Sequence, residues 1–169
     1  HNITPPYFFK NYNDNLFDLC RKGIDELKTT QKYCKNYIAV SEYNANDLKK
    51  IGINNVQIIK LPISPKKWNC SLEKTLNDKL NNNKFKIIFV GRLSPNKNQL
   101  SLIDIFSILN KLHKNLELYI IGHGEFHEKY TQEIIKKIKY LNLNNCVHLT
   151  FSVTNEQLFT YYRNADLFL

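Results

Sequence analysis

Methionine is absent from the sequence, and so is any apolar run approaching the roughly 20 residues that a bilayer-spanning helix requires. No transmembrane segment is therefore expected. The opening residues HNITPPYFFK lack a charged start followed by an apolar stretch, so no secretory signal is expected either. Cysteine is sparse: Cys20, Cys34, Cys70 and Cys146 stand far apart, with no CxxC pair and no histidine at finger spacing. That spacing excludes a zinc module, and a chain with a full apolar complement needs no disulfide framework, so reduced thiols in a cytoplasmic protein are expected. Acidic residues are outnumbered, 15 against 24 lysines and arginines, which gives a formal charge of +9. A balance of that sign favours anionic partners: nucleic acid, phosphorylated metabolites or an acidic membrane face. Most of these lysines, such as those of IIKKIKY, read as a solvated helix face. With no initiator methionine and a stop inside the strand-like DLFL, the sequence is expected to be a segment of a longer protein.

What is present is enough for a core: 43% hydrophobic residues, 12% aromatic, in 169 residues. Paired prolines predict a loop over 1–6. Leu16, Phe17, Cys20, Ile24 and Leu27 share one helical face and predict a helix over about 14–29. A strand is expected at 37–41, a short helix at 44–51 capped by Gly52, and a further β element at 56–61, stopped by Pro62. This alternation is that of an α/β layer. Composition then shifts over 64–83, read as a linker with a short helix around 72–80. Beyond it the alternation restarts: strand 85–90, helix near 99–112, strand 116–121, helix about 126–141, strand 147–151, helix 155–163 opened by a Thr154/Gln157 capping box, and a strand beginning at 167. The second half reads as most of a doubly wound domain.

The most informative stretch is KFKIIFVGRLSPNKNQL, Lys84–Leu100. A buried-strand signal runs into Gly91, and Arg92 and Lys97 flank Pro95 and Asn96 just before a helix begins. Open α/β sheets bind ligands at the carboxyl ends of their strands, and a helix N-terminus beside two cations suits an anion. Arginine can grip two phosphate oxygens with its planar fork while lysine supplies a compact charge. On the residues alone, an anion site and ordinary surface cations both remain open. Gly122-His123-Gly124 closes the next strand; a lone GxG marks a structural turn first, with backbone approach to a phosphate as the second reading. His123, Glu125 and His127 lack the spacing of a metal motif. Asp14, Asp47 and Asp104 have no Ser–His or Cys–His pattern beside them, so no hydrolase nucleophile is assigned.

Taken in order, these segments resemble the retaining GT-B glycosyltransferases of the group 1 (family four) type. FVGRLSPNKNQLSLID resembles that family's strand, Gly-Arg-Leu, Pro-x-Lys and helix; LYIIGHGE its next strand and Gly-x-Gly turn; VHLTFSVTNEQLFTYYRNADLFL its strand, loop, helix and Ala-Asp-Leu strand. SEYNANDLKKIGINNVQIIKLPIS is similar to the end of the family's first domain, and HNITPP to a loop opening in one bacterial subgroup. The resemblance implies parts of two Rossmann-like domains: residues 1–63 the C-terminal part of the acceptor-side domain, 64–83 the linker, and 84–169 the N-terminal part of the donor-binding domain.

It further implies that Arg92 and Lys97 contact the diphosphate of a nucleotide-sugar donor and that Gly91 lets the backbone come close, with Gly122 and Gly124 as further points of backbone approach. His1 would take the loop position of an active-site histidine. The resemblance implies no cofactor beyond the donor substrate and no metal, a glycan or lipid-linked acceptor, and a cytoplasmic enzyme, peripheral on the inner face of an anionic membrane. Nucleic acid is disfavoured because no recognised nucleic-acid motif is present. A basic nucleic-acid module and an inactive glycosyltransferase-like remnant stand as the alternatives. Thr150 stands where the family commonly has glycine, Asn98 where glycine is frequent, and KLPIS replaces the commoner Pro-Asn-Gly.

Overall fold

The structure is a computed structural model that describes residues 3–64, 70–125 and 128–169. The chain divides into two units, His1–Ser64 and Pro65–Leu169.

In the first unit, helix α1 (Asp14–Thr29) starts where the Asn13 side chain accepts a hydrogen bond from the Leu16 N–H at 2.9 Å. None of its residues is buried, although their apolar face is the one expected from the sequence. Strands β1 (Tyr37–Ala39) and β2 (Val56–Ile58) pair in parallel, Tyr37 opposite Val56 and Ala39 opposite Ile58. Both are shorter than their sequence signals. β1 gives way at Ser41, whose hydroxyl accepts from the Asn44 N–H and caps helix α2 (Glu42–Lys50). β2 ends soon after because Ala39 is the last residue of its partner, its carbonyl receiving the Ile59 N–H at 2.9 Å. Gly52, with φ +92°, takes the left-handed conformation that ends α2.

The second unit is a four-stranded parallel sheet in the order β5-β4-β3-β6. Its strands are β3 (Phe85–Val90), β4 (Leu116–Ile121), β5 (Val147–Phe151) and β6 (Leu167–Phe168). They alternate with α4 (Gln99–Leu112), α5 (Lys129–Tyr140) and α6 (Asn155–Asn164), the last opened by the expected Thr154/Gln157 capping box. Helix α3 (Lys74–Leu80), capped by the Glu73 carboxylate, falls within the segment expected as a linker, yet its Leu80 is fully buried against Ile88, Tyr119, Ile121 and Tyr161. The Glu73 N–H also donates to Thr160 Oγ1 at 2.8 Å, so α3 is fastened to α6 as well as packed on the sheet. Residues alternating with the α3/α6 face, Ile87, Leu118 and Ile120, point to the other side of the sheet. There Ile103 and Phe106 of α4 and Ile134 of α5 are buried.

The chain runs outward from β3 to β4 and β5, then α6 carries it back to β6 on β3's other flank. The carboxyl end of β3 is thus the point where the winding reverses, the place where such sheets open a crevice for ligands.

Candidate functional site

The site is built at that reversal. β3 ends on the hydrogen bond from the Gly91 N–H to the Ile121 carbonyl, 2.9 Å, and the chain turns out through Arg92. Leu93 and Ser94 are buried beneath the turn. The Leu93 N–H donates to the His123 carbonyl at 2.8 Å, and the Ser94 hydroxyl donates to Asn96 Oδ1 at 2.7 Å. Pro95–Lys97 form one 3-10 turn, closed by the Lys97 N–H on the Ser94 carbonyl. Asn98 then adopts φ +54°, and α4 starts. Gln99, wholly buried, donates from Nε2 to the Arg92 carbonyl at 2.9 Å, while its Oε1 is buried without a partner.

The Arg92–Lys97 turn is therefore fixed from inside while its two cations face outward. Arg92 and Lys97 are both exposed, and among the described residues neither side chain has a hydrogen-bond or ion-pair partner. Lys97 Cδ lies 4.0 Å from where a Cβ on Gly91 would sit, so its aliphatic stem runs beside the Gly91 backbone. The first turn of α4 carries no acidic residue. Two free cations, a helix N-terminus and no carboxylate on that helix turn make a setting for an anion with several oxygens.

Gly122 and Gly124 form the wall behind this turn. A Cβ on Gly122 would fall well inside contact distance of the Gly91 carbonyl oxygen, and one on Gly124 would lie 2.7 Å from Leu93 Cβ. Their approach is to the neighbouring turn of the protein itself, which is the structural reading of the GxG signal. His123 projects outward, its Nδ1 3.3 Å from Ser152 Oγ and its Nε2 3.6 Å from Glu125 Oε1. The third wall is the end of β5, where the β4–β5 register shifts at Ile120/Ile121 and Phe151 has φ +56°. The backbone that calls for glycine thus falls on Phe151, one residue after Thr150, where the sequence comparison placed it.

Gly91, Arg92, Lys97, Gly122 and Gly124 are thereby brought to one edge of the second unit. His1 and His127 lie outside the described residues. Sequence reasoning missed Ser94 and Gln99, which hold the turn from beneath. A glutamine at the first helical position gives no signal of burial, since only the tertiary fold shows that it reaches the Arg92 carbonyl.

A second polar cluster lies at the opposite, amino end of the sheet. Glu117, buried on β4, accepts from Lys84 Nζ at 3.0 Å, Tyr119 Oη at 2.9 Å and Asn82 Nδ2 at 3.4 Å. Burial pushes its carboxyl up, but these hydrogen bonds and the Lys84 charge outweigh it and hold Glu117 below its usual range. His148 stacks on Tyr119 with ring centroids 4.6 Å apart, and its Nε2 is 3.5 Å from Glu117 Oε1 without hydrogen-bond geometry. Burial lowers the His148 pKa against the opposing pull of Glu117. This end faces away from the strands' carboxyl edge, so the cluster's role is to tie β3, β4 and β5 together.

With this geometry in place, similarity to known proteins is informative. Residues 73–169 match the sequence profile described as Glycosyl transferases group 1. Over 84 residues, half of this chain and 20% of the relative, the sequence is 37% identical to an uncharacterised glycosyltransferase of Methanocaldococcus jannaschii. The structure is similar to that of Anabaena HepE in complex with UDP and glucose, with a TM-score of 0.71 at 18% identity, covering 99% of this chain and 43% of that one. It is also similar to sucrose-phosphate synthase of Thermosynechococcus elongatus, with a TM-score of 0.73 at 15% identity, covering 99% and 42%. The fold is thus that of the GT-B glycosyltransferases over the part spanned, and the chain spans less than half the length of these solved structures.

Proposed function

The chain belongs to the glycosyl transferases group 1 family, and from that premise we propose that its second unit supplies the diphosphate-facing edge of a retaining glycosyltransferase. The donor is a nucleotide-diphosphate sugar; the UDP and UDP-glucose held by HepE support a uridine nucleotide. The observation that carries this reading is the outward-facing pair Arg92 and Lys97, unpaired among the described residues, on a turn fixed beside the N-terminus of α4.

In the ground state the pair binds the diphosphate. As the bond between the sugar and the diphosphate breaks, negative charge grows on the leaving oxygen, and cations already in position stabilise it without reorganising. The acceptor hydroxyl attacks the anomeric carbon from the same face as the departing diphosphate and passes its proton to the leaving oxygen, which gives retention. Neither a metal nor a further cofactor is part of this scheme. The acceptor is a polysaccharide or envelope glycan, free or lipid-linked, and His1 is assigned the role of an active-site histidine by the family resemblance alone. The first unit serves the acceptor side and the second the donor side. No helix among the described residues is long and apolar enough to cross a membrane, and the enzyme works in the cytoplasm at the inner face of the membrane.

The test is turnover with a panel of nucleotide sugars in the whole protein. Arg92→Ala with Lys97→Ala should collapse kcat/KM while the thermal unfolding transition stays in place. Unchanged donor affinity and rate would overturn the assignment.

A further inference from the structure

Helix α4 opens without a cap of its own. Its N-cap residue is Asn98, yet that side chain makes no hydrogen bond to the helix amides and instead accepts from the Ser101 hydroxyl at 2.9 Å. The first N–H groups of a helix have no acceptor within it and must find one elsewhere. Around this turn most find one on nearby backbone: the Lys97 N–H on the Ser94 carbonyl, the Asn98 N–H on the Pro95 carbonyl, and the Ser101 N–H on the Asn98 carbonyl. That leaves the Gln99 and Leu100 N–H groups, for which no backbone acceptor stands among the described residues.

Tyr130 supplies the missing acceptor from a different helix. It is the second residue of α5 and is 4% exposed. Its phenolic oxygen accepts from the Leu100 N–H at 3.5 Å, and the Gln99 N–H bonds to the same oxygen. Burial pushes the Tyr130 hydroxyl up against the opposing pull of these two amides, so the phenol stays protonated at neutral pH.

The contact reaches both cations of the donor edge. Gln99, held through its N–H by Tyr130, holds the Arg92 carbonyl in turn with its Nε2 at 2.9 Å. Lys97 ends the 3-10 turn that feeds α4, two residues before Gln99. A shift of the first turn of α4 would therefore move Arg92 and Lys97 together. The same contact withdraws two amides from those that a helix N-terminus ordinarily offers an anion. A diphosphate at this edge then meets the Arg92 and Lys97 side chains rather than the Gln99 and Leu100 amides.

We propose that Tyr130 is a positioning residue of the donor edge: its oxygen fixes the first turn of α4, and through that turn it keeps Arg92 and Lys97 in place for a diphosphate that it does not itself touch. The inference rests on the donor reading of the Arg92–Lys97 turn. A ring that only filled the space between helices would serve as well without its oxygen.

The test is Tyr130→Phe in the full chain, read by amide hydrogen exchange without ligand and by titration with UDP and with inorganic pyrophosphate. Exchange at Gln99 and Leu100 should be faster in the phenylalanine variant than in the parent. The Kd for both ligands should rise at least about threefold, in keeping with the net worth of one hydrogen bond. Ile134→Val is the control: it shortens a wholly buried side chain one turn further along α5, and so lowers stability without touching the cap. Both Kd values should stay at those of the parent in that variant. An equal rise there would reduce Tyr130 to a role in stability and overturn the inference. Unchanged exchange at Gln99 and Leu100 would overturn it too, as would tighter binding by Tyr130→Phe, which would show that the released amides serve the anion better than the cap does. A parent that binds neither ligand fails the donor reading, and the positioning role falls with it. A parent that binds, with a phenylalanine variant that binds equally well, overturns the positioning role alone.

Discussion

The Leu93 N–H donates to the His123 carbonyl at 2.8 Å, and this bond fastens the turn bearing Arg92 and Lys97 to the Gly122–Gly124 turn of the next strand. Beside it the Gly122 N–H donates to the Phe151 carbonyl at 2.9 Å, so three successive strand exits are linked. The cations owe their placement to that linkage, because no side-chain partner among the described residues holds them.

Gly122→Ala should therefore damage the fold as well as the site. Its Cβ would meet backbone, the Gly91 carbonyl, which cannot swing aside as a flexible side chain does. A loss of about 1–3 kcal/mol is expected, of the size seen for overpacking. Gly91→Ala should be milder, since the nearest atom is Cε1 of the Phe89 ring at 3.2 Å. Denaturant unfolding of the two variants checks the order.

Asn98 supplies a second prediction. Its φ of +54° lies in the left-handed region, where a side chain costs roughly 1–2 kcal/mol, asparagine being the best tolerated after glycine. Asn98→Gly should leave stability close to unchanged. Asn98→Val should lower it by at least about 1 kcal/mol and displace Lys97, weakening donor binding in the same variant. Equal stability of the valine and glycine variants would contradict this.

The Glu117–His148 cluster predicts how stability depends on pH. Both groups have folded pKa values below their unfolded ones, so the unfolded state binds more protons as pH falls. Their contribution is present in full above the unfolded values and is lost on acidification. The loss begins near the histidine value of 6.5 and deepens near the glutamate value of 4.5. Thermal melts between neutral and acid pH should show both stages. Glu117→Gln should remove the lower stage and cost about 1–3 kcal/mol at neutral pH, because Lys84 and Tyr119 lose their charged acceptor.

Gln99 tests whether the turn's internal support matters for binding. Gln99→Met keeps the volume and removes the unpartnered Oε1, but leaves the Arg92 carbonyl without its donor. Stability should stay within about 1.5 kcal/mol, as for volume-conserving swaps. Donor affinity should fall as the turn loosens, visible as a raised Kd for UDP with an unfolding midpoint close to that of the parent.

Much of the second unit was legible in the sequence because its signals are local and agree with one another. Phe85–Val90, Leu116–Ile121 and Val147–Phe151 form the strands expected of them, and the Thr154/Gln157 box opens α6 as expected. The first unit was less legible, since strand length there depends on how far the partner runs, and β1 stops where Ser41 becomes a helix cap. Helix α5 starts at Lys129, later than its apolar pattern suggested, because Glu128 is extended and serves as its N-cap residue; residues 126–127 lie outside the described residues. The cations of the site could be read from the sequence. Its supports could not, since Ser94 and Gln99 act through contacts that arise only when the turn folds back on itself, and the positive φ of Phe151 comes from a register shift between two distant strands.

The central claim, that the Arg92–Lys97 turn receives a nucleotide diphosphate, is tested most directly by amide chemical-shift mapping of this chain titrated with UDP. The account predicts saturable shifts concentrated at residues 91–99 and 122–124, lost in Arg92→Ala with Lys97→Ala and reproduced in part by inorganic pyrophosphate. Shifts confined to other surfaces, or shifts at 91–99 that persist in the double variant, would contradict it.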